Sequence, residues 1–191
     1  MSKYTVFSPD SDERVPLIWV VFSCYVNGTL LKKLYIYGHN IASRIMQEAL
    51  DFLDANRDVA FATIGTNGRP MLRIFQIMKI DGNTLYFATN NRKNVYQELQ
   101  ANPAIEILAY KNNISVRVSG DAVFDVPDVV QKEIYDTNPV LQRLYPDYRE
   151  LAYFSVEIGR LDYYNLTPTP PVLRHYDKAC GQYIDLDPFR K

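Results

Sequence analysis

The sequence predicts a mainly β protein with flanking helices, built as a six-stranded antiparallel barrel that is closed or nearly closed. Six β-branched and aromatic segments are separated by tight-turn signals, among them Asn67-Gly68, Asp81-Gly82 and Lys111-Asn112-Asn113. Such pairs reverse a chain sharply because Gly and Asn tolerate the positive φ of hairpin turns. Helical segments enter after the third and fifth strands rather than after every strand, which argues against βαβ winding. With 191 residues, 47% apolar and 23% charged, the chain has the composition of one ordinary globular core.

Taken in order, residues 1–45 follow no clean period of 2 or 3.6. They form an N-terminal extension that reads either as an extra strand pair or as sequence upstream of a start at Met46. Their apolar run Leu17–Val26 is about half the ~20 residues needed to span a bilayer. Acidic residues precede it and no small-x-small cleavage pattern follows, so a cytoplasmic protein away from membranes is expected. Met46, Ala49, Leu50 and Leu53 then stand at i, i+3, i+4 and i+7, one apolar face of a helix ending near Asn56.

Strands are expected at Val59–Thr66, Pro70–Ile80 and Thr84–Thr89. A short helix over Asn94–Gln100 follows, with Val95, Tyr96 and Leu99 inward and Asn90 and Asn91 as cap candidates. The next strands are Ile105–Tyr110 and Ile114–Phe124, the second carrying Gly120 as a bulge that bends it. Pro127 opens a helix reaching about Tyr135, and Pro139–Leu144 is another helical piece. Ala152–Tyr164 is the last long strand. The domain therefore spans 46–165, and the Pro-rich stretch Thr167–Pro171 starts a C-terminal tail over 166–191.

Charge excludes some function classes. With 21 Lys+Arg against 22 Asp+Glu there is no basic field, so nucleic acid is not an expected partner. Cys24, Cys180, His39 and His175 have no metal-ligand spacing, and no metal site is expected.

Chemistry concentrates between Arg69 and Leu99. Arg73 lies inside a strand with apolar neighbours, and Thr89, Asn90, Arg92 and Lys93 stand where a strand ends and a helix begins. A helix start offers unpaired N–H groups and a positive dipole end, which with Lys93 and Arg73 suit a phosphate. Glu98, Glu133 and Glu150 fall on helical polar faces and read as solvated charge. His175 reads as an exposed or packing residue of the tail, and Cys180 as an inert thiol.

The helix MQEALDFLDAN, the strand VAFATIGTNGRPMLRIFQI, the segment LYFATNNRKNVYQEL and the strand ISVRVSGDAVF resemble the pyridoxamine 5'-phosphate oxidase-like family of FMN-binding split β-barrels. The resemblance covers about residues 46–165. It implies a six-stranded antiparallel split β-barrel that binds FMN as a homodimer. It places the backbone of Arg73, Ile74, Phe75 and Gln76 along the flavin ring, with Arg73 at the phosphate. Thr89, Asn90 and Lys93 fall at the phosphate and ribityl chain. Arg117 and Ser119 lie on a strand that family members often present from the facing subunit. The implied function is an FMN-dependent oxidoreductase acting on a small-molecule substrate.

The tail NLTPTPPVLRHYDKACGQYIDLDPFRK departs from the substrate-gripping C-terminal segment of true pyridoxamine-phosphate oxidases, so vitamin B6 oxidation is not expected. Two alternatives use the same scaffold: a non-catalytic flavin-binding or redox-stress protein, and a haem-binding relative. Against the second, no His is expected in the barrel strands to serve as an axial ligand.

Overall fold

The structure, a computed structural model, describes the backbone of residues 19–26, 29–36, 39–179 and 182–186, with side chains over 46–179. Residues 1–47 and 48–191 form two compact units. The first holds an antiparallel hairpin of β1 (Trp19–Val26) and β2 (Thr29–Ile36), so of the two readings of the extension a strand pair is present. Helix α1 (His39–Ala55) begins seven residues before Met46 and ends one residue short of the expected Asn56.

The larger unit contains β3 (Asp58–Ile64), β4 (Pro70–Gln76), β5 (Lys79–Asp81), β6 (Thr84–Thr89), α2 (Asn94–Ala101), β7 (Ala104–Lys111), β8 (Ile114–Val123), α3 (Asp128–Thr137), α4 (Pro139–Leu144), β9 (Ala152–Glu157), β10 (Arg160–Asn165), β11 (Val172–Asp177) and β12 (Gln182–Leu186). A 3-10 turn, Tyr148–Glu150, precedes β9. The strands curl into an antiparallel split barrel. One path runs β12-β11-β10-β8-β7-β3-β4, and β5, β6 and β9 branch from the far end of β8.

Turn chemistry behaves as the sequence suggests. Gly68 and Gly82 have φ of 77° and 53°, and Asn112 and Asn113 have φ of 51° and 63° in the two-residue loop that joins Lys111 to Ile114. Positive φ at both loop residues matches the right-handed twist of the strands they connect.

Two strands expected to be continuous are broken. Pro70–Ile80 divides at Ile77-Met78, because β4 pairs with β3 whereas β5 pairs with β6. At the break the Ile77 N–H donates to the Arg57 carbonyl and the Met78 N–H to the Tyr86 carbonyl. Ala152–Tyr164 divides at Ile158-Gly159, between β9 on β6 and β10 on β8. These breaks let the sheet split, since one straight strand cannot serve two diverging partners. The stretch expected to be an irregular tail also differs: β11 pairs with β10 along six positions and β12 pairs with β11.

Gly120 lies where β8 passes from β10, last paired at Ser119, to β9, first paired at Ala122, while its register with β7 runs on without the expected bulge. A Cβ there would lie 2.5 Å from the Glu157 carbonyl oxygen and 2.7 Å from Val156 Cγ1, so only glycine lets the two backbones approach this closely.

Alternate residues of β3 point inward: Val59, Phe61 and Thr63 are buried. The barrel interior is aromatic. Phe61, Phe75, Phe87 and Phe154 have ring centroids 4.9 to 6.0 Å apart, mostly edge to face, and Phe124 joins at 5.4 Å from Phe154. A second cluster around Ile134, Leu141, Leu151 and Tyr153 lies under α3 and α4.

Candidate functional site

β4 is the last strand on its path and pairs only with β3, so one edge of its backbone has no ladder partner among the described residues. Side chains alternate along it. Ile74 projects outward and is 71% exposed, whereas Phe75 points into the aromatic core and holds the strand from behind. Gln76 donates to Asp58 Oδ1 at 3.3 Å and accepts from Asn138 Nδ2 at 3.3 Å.

Arg73 also points inward. Its Nη1 donates to Thr63 Oγ1 at 2.8 Å and its Nη2 to Glu98 Oε2 at 2.7 Å, while the Thr63 hydroxyl donates to the same Glu98 oxygen at 2.5 Å. These three side chains form a closed ring of hydrogen bonds joining β3, β4 and α2. Glu98 is only 4% exposed, which corrects the expectation of a solvated helix charge. The signal was present in the spacing: Val95, Glu98 and Leu99 occupy i, i+3 and i+4, so Glu98 stands on the inward stripe of α2. An Arg set among strand apolars also calls for a buried partner.

At the junction of β6 and α2, Asn90 is committed locally. Its Oδ1 accepts from the Arg92 N–H at 2.9 Å, and its Nδ2 donates to the Glu150 carbonyl at 3.1 Å. Lys93, the N-cap residue of α2, gives no side-chain cap, so Asn90 and Asn91 do not take that position. The Lys93 side chain is exposed and makes no ion pair or hydrogen bond among the described residues. Thr89 is buried, and its Oγ1 has no hydrogen-bond partner among the described residues. A buried hydroxyl without a partner costs about 1–3 kcal/mol and is the kind of group a ligand can satisfy.

Arg117 and Ser119 lie on the outer face of β8. Arg117 bonds Asp162 on β10 through both Nε and Nη2 and reaches Glu106 on β7 at 3.3 Å. The opposite side of Asp162 meets His175 Nδ1 at 2.5 Å. Arg117, Asp162 and His175 stand in register on β8, β10 and β11, forming one row across the sheet. Burial pushes the Asp162 carboxyl up, but the bonds from His175 and Arg117 outweigh it and hold it below the ordinary carboxylate range. His175 therefore sits in a sheet strand beyond the six expected barrel strands and is largely covered, a packing residue rather than part of an irregular tail. Cys180 lies outside the described residues.

The structure thus brings Arg73 to α2 through Glu98 and sets Thr89, Asn90 and Lys93 at one strand-helix junction. Arg117 is committed to carboxylates on the outer face of the sheet. The donor set fits a phosphate group at the start of α2: an unpaired ammonium, helix N–H groups without a side-chain cap, and an orphaned hydroxyl.

No helix among the described residues is long and apolar enough to cross a membrane. No curated protein matches the sequence. Among solved structures, PhzG from Burkholderia lata 383, in complex with tetrahydrophenazine-1-carboxylic acid, is similar with a TM-score of 0.64 at 15% identity. The match covers 76% of this chain and 92% of that one. A pyridoxamine 5'-phosphate oxidase-related, FMN binding protein from Nostoc punctiforme has a TM-score of 0.57 at 18% identity, covering 76% and 96%. A heme binding protein from Mycobacterium smegmatis has a TM-score of 0.55 at 15% identity, covering 69% and 57%. Identities this low speak for the fold alone. The sequence itself matches the pyridoxamine 5'-phosphate oxidase family over residues 45–169, which takes in every strand from β3 to β10, the free edge of β4 and the β6–α2 junction. The chain belongs to the pyridoxamine 5'-phosphate oxidase family.

Proposed function

We propose that this chain binds FMN between the free edge of β4 and the start of α2, and that it acts as an FMN-dependent oxidoreductase on a small molecule, as a homodimer. The observation that carries the reading is the unpaired Lys93 ammonium at a helix start without a side-chain cap, next in the chain to the strand end that holds the orphaned Thr89 hydroxyl. A phosphate carrying nearly two negative charges needs such donors. The β4 edge offers backbone donors and acceptors to a flat polar ring, and the Phe75 contacts behind it keep the strand in place. FMN, when bound, supplies the redox chemistry. The side chains named here hold its phosphate and position its ring. The description of the Nostoc relative as FMN binding supports the reading.

The test is the visible spectrum of the purified protein, release and identification of any chromophore, and calorimetric titration with FMN and with riboflavin. A flavin spectrum and tighter binding of FMN than of riboflavin are expected. Colourless protein that gives no heat with FMN overturns the reading, and a haem spectrum would transfer it to the haem-binding alternative. Bound FMN that neither nicotinamide cofactors nor dithionite can cycle through turnover would leave a flavin-binding protein without the oxidoreductase activity.

A further inference from the structure

We infer that Glu98 sets how strongly this site distinguishes a phosphorylated from an unphosphorylated flavin, by neutralising the Arg73 guanidinium. The inference rests on the FMN reading above and adds a specificity-determining residue to it.

The ring of bonds among Arg73, Thr63 and Glu98 fixes the guanidinium against α2. Glu98 lies four residues beyond Asn94, the first residue of the helix, so roughly 6 Å along its axis at about 1.5 Å per residue. The Arg73–Glu98 pair therefore sits about one and a half turns from Lys93, the N-cap residue of the helix. Charges at such range, with Arg73 half-buried and Glu98 buried, act on one another and on an arriving anion with little screening. Arg73 and Glu98 cancel, and Arg92 and Lys93, both exposed and in no ion pair among the described residues, remain as the cations that a phosphate meets uncompensated. The site is thus set to bind FMN with only part of the attraction that its cations could deliver. Thr63 keeps the pair in one geometry, since its hydroxyl accepts from Arg73 while donating to Glu98.

Replacing Glu98 by Gln keeps a side-chain oxygen that accepts from both Thr63 and Arg73, and removes only the negative charge. Arg73 stays tied to Thr63 and to the amide oxygen of that variant, so the gain is longer-range attraction without a new contact: FMN affinity of E98Q should rise about three- to tenfold over wild type, while riboflavin affinity stays within about twofold. FMN binding should also fall more steeply with added salt in E98Q than in wild type. The double variant R73M/E98M deletes both charges together and replaces a buried pair by apolar side chains of similar length, a change that proteins often tolerate. It leaves the site's net charge unaltered, so its ratio of FMN to riboflavin affinity should match wild type. A purely structural Glu98 would change both flavins by the same factor in E98Q, or weaken FMN as Arg73 loosens; either result overturns the inference while the FMN reading stands. Wild-type protein that binds neither flavin overturns both.

Discussion

Lys93 and Arg73 look alike in the sequence, two cations near one predicted phosphate, yet the structure gives them different circumstances. Lys93 is exposed and has no partner among the described residues, and Arg73 is bonded to Glu98 and Thr63. Lys93→Ala should therefore weaken FMN about ten- to a hundredfold, with riboflavin hardly affected, as calorimetric titration would read. Equal loss for both ligands would sink the assignment. Asp162 yields a prediction of another kind. Its carboxyl is held below the ordinary range, so the folded protein keeps it ionised where the unfolded chain begins to protonate. The stability this contributes is present above about pH 4, the unfolded value, and is lost as pH falls through the lower folded value. Acid denaturation of wild type and Asp162→Asn should show a stability gap at neutral pH that closes in acid. A gap independent of pH would assign the loss to packing. Of these residues, Arg73 and Lys93 were legible from the sequence as cations near a helix start. The partner of Arg73 was not, because Glu98 is 25 positions away and only α2 docking on β3 brings them together.

At the scale of elements, the hairpin turns and the short helices follow their local signals closely: α4 and β6 have the expected bounds, and α2 differs by one residue. Local chemistry decides such elements, since a cap, a proline or a positive-φ pair acts within a few residues. The long strands did not follow local signals alone. Their breaks at Ile77-Met78 and Ile158-Gly159 occur where a strand changes partner, and nothing in an unbroken apolar run announces a partner change. The bulge expected at Gly120 does not form, since β8 keeps one-to-one register with β7 through it, and the glycine serves instead the close approach of β8 to β9. Gly120→Ala should destabilise the protein by about 1–3 kcal/mol, because the added methyl would press on the Glu157 backbone rather than on a flexible side chain. Thermal unfolding would measure it, and an unchanged midpoint would mean that β8 and β9 separate more easily than their contact implies. β11 and β12 were missed because the Pro-rich Thr167–Pro171 suggested that regular structure had ended, whereas the chain only turns there before pairing again with β10.

For the molecule as a whole, the outer sheet face near the β4 edge is apolar. Leu72 and Ile74 are 72% and 71% exposed, and Ile74 is in register with Ala60, itself opposite Leu108 on β7. A patch of this kind on an edge strand favours association and suits the proposed homodimer. Light scattering should give twice the 22.1 kDa of one chain, and the double variant Leu72→Lys, Ile74→Lys should give one. A wild-type protein that stays a single chain at micromolar concentration would remove the dimer from the proposal.

The sequence by itself determined the fold class, the order of most elements and the segment that holds the candidate site, because period, turn residues and caps are local properties written a few residues at a time. Only the tertiary structure decided which cations are already neutralised, where the long strands break and that the C-terminal strands join the sheet. Those are settled by which distant residues become neighbours: Arg73 with Glu98, Asp162 with Arg117 and His175, and β8 with β9 at Gly120.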